Sequence, residues 1–393
     1  EPFRKVSYLA SVAVGTVDQA LLSAIMTSHA HLRSVCLDRS LLVVDEVHAS
    51  DTYMRSLLEG LLRHHLEMGG HAMLLSATLG AAARAELLST AGTAVKVPTL
   101  AEAIATGYPS LTVTDGGSWQ AVRMPGQADD GRGDDEKPVE FELRCDAFDL
   151  HRVADRIREA AAAGARVLVV LNTVRRAVAL QRLLEAGDCR EEWLFGLNGA
   201  PCPHHGRFAP ADRLALDPAV SVRFGKESSA GPVVLIGTQT LEQSLDIDSD
   251  LLVTDLCPAD VLLQRVGRLH RHLRRDRPDG FHTPWCMVLV PDGDGLEEGL
   301  DARGEALPQL KAAGWGSVYA DMRILDLTWK VLRENARITI PKDNRRLVEM
   351  TTHPERVGEY VERRWGNHRK LIAGRQAAMR TAAYLATSTP GLG

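Results

Sequence analysis

The chain has six cysteines, Cys36, Cys145, Cys189, Cys202, Cys257 and Cys286, and no CxxC pair among them. That scatter argues against a disulfide or zinc framework and for a reducing compartment, so a cytoplasmic location is expected. Cys202-Pro203-His204-His205 could ligate a metal, but no second ligand pair stands at the usual spacing. No apolar run reaches the length of a membrane span, so no membrane partner is expected. Residues 1–30 lack a basic head followed by a compact apolar core, so a secretory signal is not expected. Internal repeats are absent. No GxxxxGKS or GxxxxGKT phosphate loop occurs; the only Gly-Lys pair, Gly225-Lys226, is followed by Glu227. No His-Asp dipeptide occurs either, and the first residue is Glu1, so a preceding part is expected. Excess positive charge is also missing, since the formal net charge is −5.

A length of 393 residues suits two or three domains, and 45% hydrophobic with 25% charged residues describes an ordinary globular protein. The charge is uneven, however. Arg265, Arg268, Arg271, Arg274, Arg275 and Arg277 cluster, whereas Asp129, Asp130, Asp134, Asp135 and Glu136 form an acidic run. A local basic patch of this kind is compatible with nucleic acid.

The stretch from Gly237 to Arg271 organises the chain. Before it, Pro232-Val233-Val234-Leu235-Ile236 reads as a buried parallel strand. Gly237, Thr238 and Gln239 then fall where a doubly wound sheet places ligand contacts. Leu251-Leu252-Val253 reads as a second buried strand. Gln264 to Arg271 spaces cations three apart along one side of a helix, where arginines can face a polyphosphate across a cleft. A solvated basic helix end is the plain alternative.

Upstream, Leu41-Leu42-Val43-Val44 makes a buried strand with two acids at its end, the Walker B arrangement. Asp45 would hold Mg²⁺ through water, Glu46 would orient and deprotonate the attacking water, and His48 would follow the nucleotide state. The alternative is a strand ending in a polar turn. Residues 12–17 (VAVGTV) read as a short strand ending at Gly15-Thr16, and Asp18-Gln19 opens a helix to Met26. Its N-terminus could hold a phosphate, although a plain cap at Asp18 explains it as well. Residues 53–68 repeat apolar positions at helical spacing, with His64-His65 expected at the surface. Ala72–Leu75 is the next strand, ending in Ser76-Ala77-Thr78, whose hydroxyls could bond the neighbouring acids.

Residues 115–138, rich in Gly, Asp and Pro, read as a linker. Beyond them come a helix at 151–163, a strand at 165–171 ending in Asn172-Thr173, and a helix at 174–186. His204-His205-Gly206-Arg207-Phe208 falls in a loop, where a stacking ring and cations would suit a single strand; an ordinary loop reads equally well. Trp285–Val290 reads as the closing strand, and residues 317–335 and 355–387 as helical. The expected fold is α/β with parallel sheets. Residues 1–115 would form the C-terminal half of a first α/β lobe, 116–138 a linker or mobile loop, 139–292 a second lobe, and 293–393 a linker and a mostly helical region.

Four motifs, DExH at Asp45, SAT at Ser76, GTQxxEQSxD at Gly237 and QRxGRxxR at Gln264, resemble a superfamily 2 helicase, which implies that the two lobes are RecA-like helicase lobes, the first incomplete. VGTVDQALL, LLSATL, HGRF and EQSLDIDSDLLVTDLCPADVLLQRVGRLHRH narrow the resemblance to the CRISPR-associated helicase–nuclease of type I systems, over roughly residues 8–290. The resemblance implies a motor that uses ATP and Mg²⁺ to pull single-stranded DNA, 3′ to 5′, into a metal-dependent HD nuclease, recruited by an RNA-guided surveillance complex. By the same resemblance, Gln264, Arg268 and Arg271 would reach the γ-phosphate. His48, Ser76 and Thr78 would couple hydrolysis to movement, with Asp246 and Gly237 near the nucleotide. Thr16, Gln19, Thr173, His205, Arg207 and Thr238 would contact DNA. The phosphate loop and the HD domain, with its divalent transition metal, should precede residue 1. Alternatives are another superfamily 2 DNA or RNA helicase, and a nucleic-acid-binding chain that does not hydrolyse ATP.

Overall fold

The computed structural model describes residues 10–47, 51–107, 109–115, 118–122, 136–228, 231–242, 245–274 and 276–387. The chain divides into two compact units, residues 1–127 with 370–393, and residues 128–369.

In the first unit, α1 (Val17–Leu21) and α2 (Ala30–Leu37) precede β1 (Leu41–Val44), α3 (Thr52–Glu67) and β2 (His71–Leu74). Asp51 starts α3 by accepting the Met54 N–H at 2.8 Å. Helical spacing then turns Leu57, Leu58, Leu61 and Leu62 inward, onto Leu42 and Val44 of β1. β1 and β2 run parallel, Leu41 opposite His71 and Val44 opposite Leu74. α4 (Ala81–Leu88), α5 (Leu100–Ala105) and the antiparallel pair β3 (Leu111–Thr114) and β4 (Trp119–Val122) follow. A capping box between Thr99 and Glu102 opens α5.

Three expectations fail here. Residues 12–17 are not a strand: Val12 and Val14 are 82% and 97% exposed, and an apolar run without a neighbouring strand leaves its backbone to water. The helix from Asp18 is short, and Thr16 rather than Asp18 occupies its N-cap position. His65 is not at the surface; it is fully buried, with Nε2 3.0 Å from the His71 carbonyl oxygen. Its neighbour His64 meets Ser34 Oγ at 3.0 Å.

The second unit runs β5 (Lys137–Arg144), α6 (Leu150–Ala162), β6 (Arg166–Val170), α7 (Val174–Ala186), β7 (Gly196–Leu197), β8 (Ala200–Pro201) and α8 (Pro210–Phe224). β9 (Val233–Gly237), β10 (Leu251–Asp255), α9 (Ala259–Val266) and β11 (Trp285–Leu289) come next. Last are α10 (Pro308–Ala312), α11 (Met322–Glu334), β12 (Arg337–Ile340), α12 (Asn344–Thr352), α13 (Pro354–Gly358) and α14 (Arg363–Ala386). α14 ends among the residues of the first unit, where Ala383 joins the apolar cluster of α3.

Six strands form one sheet in the order β12-β5-β11-β10-β6-β9. All pairs are parallel except β12 with β5. β6, β9 and β10 are buried along their whole length, which is why they read as unbroken apolar runs. Trp285–Leu289 does not close the sheet; it lies inside it, with β5 and β12 beyond. Residues after 293 therefore complete this sheet through β12, within the same compact unit as the second-lobe strands. The chain passes from β6 to β9 on one side and then returns across β6 to β10. A doubly wound sheet places its ligand contacts at such a reversal, outside the carboxyl ends of the strands, which here are Val170, Gly237 and Asp255.

Candidate functional site

In the first unit, the register of β1 and β2 sets the two motif ends side by side. Leu75 N donates to Val44 O at 2.8 Å and Val47 N to Leu75 O at 3.1 Å, so pairing continues past Asp45 and Glu46. Both acids are exposed. Asp45 Oδ1 accepts the Glu46 N–H at 2.9 Å, and Glu46 sits at φ 54, uncommon for a residue with a side chain. Exposed carboxylates at a strand end suit a cation that keeps most of its water. Ser76 Oγ accepts the Thr78 N–H at 3.3 Å, and Thr78 is buried. Thr16 is exposed and its carbonyl accepts the Gln19 N–H at 3.0 Å. His48 lies outside the described residues. Among the described residues, no three metal-ligating side chains gather.

In the second unit, α9 stops at Val266, so the basic motif is not one helical face. Gln264 and Arg265 lie on the helix, Arg268 follows in a turn, and Arg271 lies in irregular chain beyond it. The three arginines have different surroundings. Arg265 is fully buried. Its Nε donates to Glu242 Oε1 at 2.9 Å, one terminal nitrogen to Thr254 Oγ1 at 2.5 Å, and the other to Asn172 Oδ1 at 3.1 Å and Tyr319 Oη at 2.9 Å. Burial pushes the Glu242 carboxyl up, and the Arg265 charge opposes it. Arg268 reaches back to the turn after β9, donating to Glu242 O at 2.8 Å and Leu245 O at 2.7 Å. Arg271 pairs with Asp246 at 3.1 Å, both side chains being 41% exposed. His272 Nε2 meets the same carboxylate at 2.7 Å. Burial works against the Asp246 charge, but the bonds from His272 and the Lys226 N–H, with the Arg271 charge, outweigh it and hold its pKa low.

Of the expected DNA-side residues, Thr16 and Gln19 belong to the first unit, and Thr173, His205, Arg207 and Thr238 to the second. Thr173 caps α7, its Oγ1 accepting the Arg176 N–H at 3.4 Å and donating to Ala312 O at 3.3 Å. Thr238 is buried, with its N–H bonded to His204 O at 3.1 Å. Gly237 is buried too, and a Cβ there would lie 2.5 Å from His204 O; close backbone approach explains this glycine without a ligand. His205 stacks on Phe208, ring centres 4.5 Å apart, and Arg207 is exposed.

Further polar residues gather here, of which the sequence reading placed only Gln239 among candidate ligand contacts. Asp255 bonds Arg176 twice, at 3.1 and 2.7 Å, and accepts the Asn172 N–H at 3.0 Å. Gln239 Nε2 donates to Asn172 O at 3.0 Å. Glu242 and Arg265 were visible inside their motifs. Tyr319 had no signal, because it comes from a segment without a motif.

A family model described as "CRISPR-associated nuclease/helicase Cas3, C-terminal" matches residues 163–274. The CRISPR-associated endonuclease/helicase Cas3 of Escherichia coli K12 is 37% identical over 297 residues, 73% of this chain and 31% of that protein. The Thermus thermophilus protein of the same description is 33% identical over 382 residues, 88% of this chain and 38% of that protein. The chain thus spans about a third of the length of the curated relatives it matches. Among solved structures, T. fusca Cas3 with AMPPNP matches at TM-score 0.75 and 29% identity, covering 98% of this chain and 42% of that one. A chain of a CRISPR RNA-guided surveillance complex, pre-nicking, matches at TM-score 0.68 and 27% identity, covering 98% of this chain and 45% of that one.

Proposed function

This chain belongs to the family of CRISPR-associated Cas3 nuclease/helicases, and from that premise we propose that it forms part of an ATP-dependent motor moving 3′ to 5′ on single-stranded DNA. The observation that carries the reading is the lock between two motifs: Arg268 on the 242–245 backbone and Arg271 on Asp246. Arginines tied to the turn that follows β9 would move with that turn, so γ-phosphate contact and strand contact would change together. Gln264, Arg268 and Arg271 would face the γ-phosphate, with Asp246 and Gly237 at the nucleotide.

Asp45 would hold Mg²⁺, which supplies charge neutralisation at the phosphates. Glu46 would take the proton of the attacking water. Ser76 and Thr78, and His48 by sequence, would pass the nucleotide state to the rest of the lobe. Thr16, Gln19, Thr173, Thr238, His205 and Arg207 would contact the strand, with His205 and Phe208 as a stacking platform. The structural relative in a surveillance complex supports an RNA-guided complex as recruiting partner, and the relatives' description as nucleases supports a nuclease partner, which by the motif resemblance would be an HD nuclease.

Fluorescence anisotropy of a labelled single-stranded oligonucleotide with the 393-residue chain tests the reading. Binding should weaken steeply with salt, and more weakly in Arg207→Ala. No binding at low salt would remove single-stranded DNA as the substrate. In a protein that also carries the phosphate loop, Arg268→Ala should slow DNA-stimulated hydrolysis by about 10³–10⁵. Lost DNA binding with unchanged turnover per bound complex would move Arg268 to the DNA side.

A further inference from the structure

The loop from Cys202 to Phe208 contains two adjacent histidines with opposite fates. The loop runs extended along β9: His204 N donates to Ile236 O at 2.8 Å, and Thr238 N donates to His204 O at 3.1 Å. Successive side chains of an extended segment point to opposite sides. His205 therefore faces out against Phe208, and His204 faces in, only 1% exposed. Inside, His204 Nε2 lies 2.8 Å from Asp217 Oδ1 on α8, and Nδ1 lies 2.8 Å from Thr240 Oγ1 in the turn after β9.

Resting on the single-stranded DNA reading above, we propose that His204 is a positioning residue that fixes the DNA-side loop, α8 and the turn after β9 to one another. An ionised carboxylate only accepts, so Nε2 carries the ring hydrogen. Burial lowers the pKa of His204 while Asp217 opposes that shift. The neutral ring leaves Nδ1 to accept the Thr240 O–H. One small ring thus holds two partners at a set separation, and the Thr240 hydroxyl also lies 3.4 Å from the His204 carbonyl oxygen.

Those partners, Asp217 and Thr240, line a cleft of about 430 Å³ together with Arg213, Ser221, Gln239 and Leu245. His204 spans from the helix side of that cleft to the turn side. It also fixes the backbone that carries His205 and Arg207, one to three residues on. Nothing in the alternation of the loop marks His204 as more than one of a pair. Its role follows from the buried bond to each neighbouring element.

Thr240→Val removes one hydroxyl and leaves the shape. It should raise the single-stranded DNA Kd by about fivefold or more, the size of one lost hydrogen bond. Thr240→Ser should restore binding. A double-mutant cycle separates positioning from loss of fold. Arg207→Ala should weaken binding in the wild-type background and add little in Thr240→Val or His204→Leu, because the loop is already displaced. Additive effects, or an unchanged Kd in Thr240→Val, would overturn the proposal while leaving the DNA reading intact. A wild-type chain that does not bind the oligonucleotide would overturn both.

Discussion

Arg265 has no water to return to, so its guanidinium depends on Glu242, Thr254, Asn172, Tyr319 and the carbonyl oxygens of Val170 and Asp255. Arg265→Ala would strand the Glu242 carboxylate in a buried site, and breaking such a pair costs roughly 3–5 kcal/mol. Arg271→Ala loses a half-exposed pair with Asp246, worth about 0–1 kcal/mol. Urea unfolding of both variants checks this; equal losses would refute the assignment. Spacing showed the motif and its resemblance picked out Arg268 and Arg271, but which arginine is buried depends on where α9 ends. Titration offers a second residue-level test. Burial raises the Asp250 carboxyl to about 6, so its protonated form is favoured by folding; that contribution is present at low pH and lost as pH rises through 6. Burial, with the charges of Arg277 and Lys137, lowers His270 to about 3, so its neutral ring is favoured; that contribution is lost as pH falls from 6.5 towards 3. Between about pH 4 and 6 the unfolded chain holds one proton on His270 and the folded chain one on Asp250, so the two slopes cancel. His270→Asn should unmask the Asp250 slope, stability falling by about 1.4 kcal/mol per pH unit as pH rises relative to wild type. Asp250→Asn should give the opposite slope. Asp248, Asp276, Arg277, Lys137 and His282 face the pair in all three proteins and drop out of the difference. Three parallel stability curves between pH 4 and 6 would contradict the pairing.

At the scale of elements, β9 and its extra neighbour depend on Gly237. The His204 backbone crosses so close that a Cβ on residue 237 would lie 2.5 Å from His204 O and from Leu241 Cδ1. Gly237→Ala should therefore push the 202–208 loop from the sheet edge, lowering single-stranded DNA affinity about tenfold or more while β6 and β10 stay paired. Unchanged affinity together with unchanged amide exchange in the loop would show that the edge can yield. Strands buried on both faces were legible because they must be apolar throughout, as in Val233–Gly237. Short or edge elements were not. Arg337–Ile340 is four residues with an exposed arginine, and only its partner Lys137–Arg144 makes it a strand. VAVGTV has strand composition but pairs with no strand among the described residues. Composition reports what a residue prefers, while pairing depends on distant chain. The HGRF loop was recognised through Arg207 and His205, but the buried His204 needed α8 and the turn after β9 in place.

The two units differ in how much apolar surface their sheets cover, and that difference should govern stability. In residues 128–369, β6, β9 and β10 are buried at every position, and their backbones are flanked by other strands or by the His204 segment. In the first unit, among the described residues, β1 and β2 pair only with each other. α3 covers one face through Leu42 and Val44. The other face leaves Leu41, Val43, Met73 and Leu75 exposed. Apolar strand faces left in water add no hydrophobic stabilisation, and a two-stranded sheet has two open edges that recruit other chains. Amides of β1 and β2 should therefore exchange with solvent about 100-fold faster or more than those of β6, β9 and β10, by local opening of the first unit. Heating should give two transitions, with light scattering rising at the first. Val43→Thr combined with Met73→Thr should reduce that scattering while shifting the first transition little, because both side chains already face water. A single cooperative transition with uniform protection across both sheets would mean that the exposed face does not set the weak point. The 393 residues also contain no GxxxxGKS or GxxxxGKT loop, so the purified chain should bind single-stranded DNA without turning over ATP. ATP turnover abolished by Glu46→Gln would show that the chain cradles the phosphates by another route, and it would also credit the weaker unit with a folded, working strand end at Asp45 and Glu46.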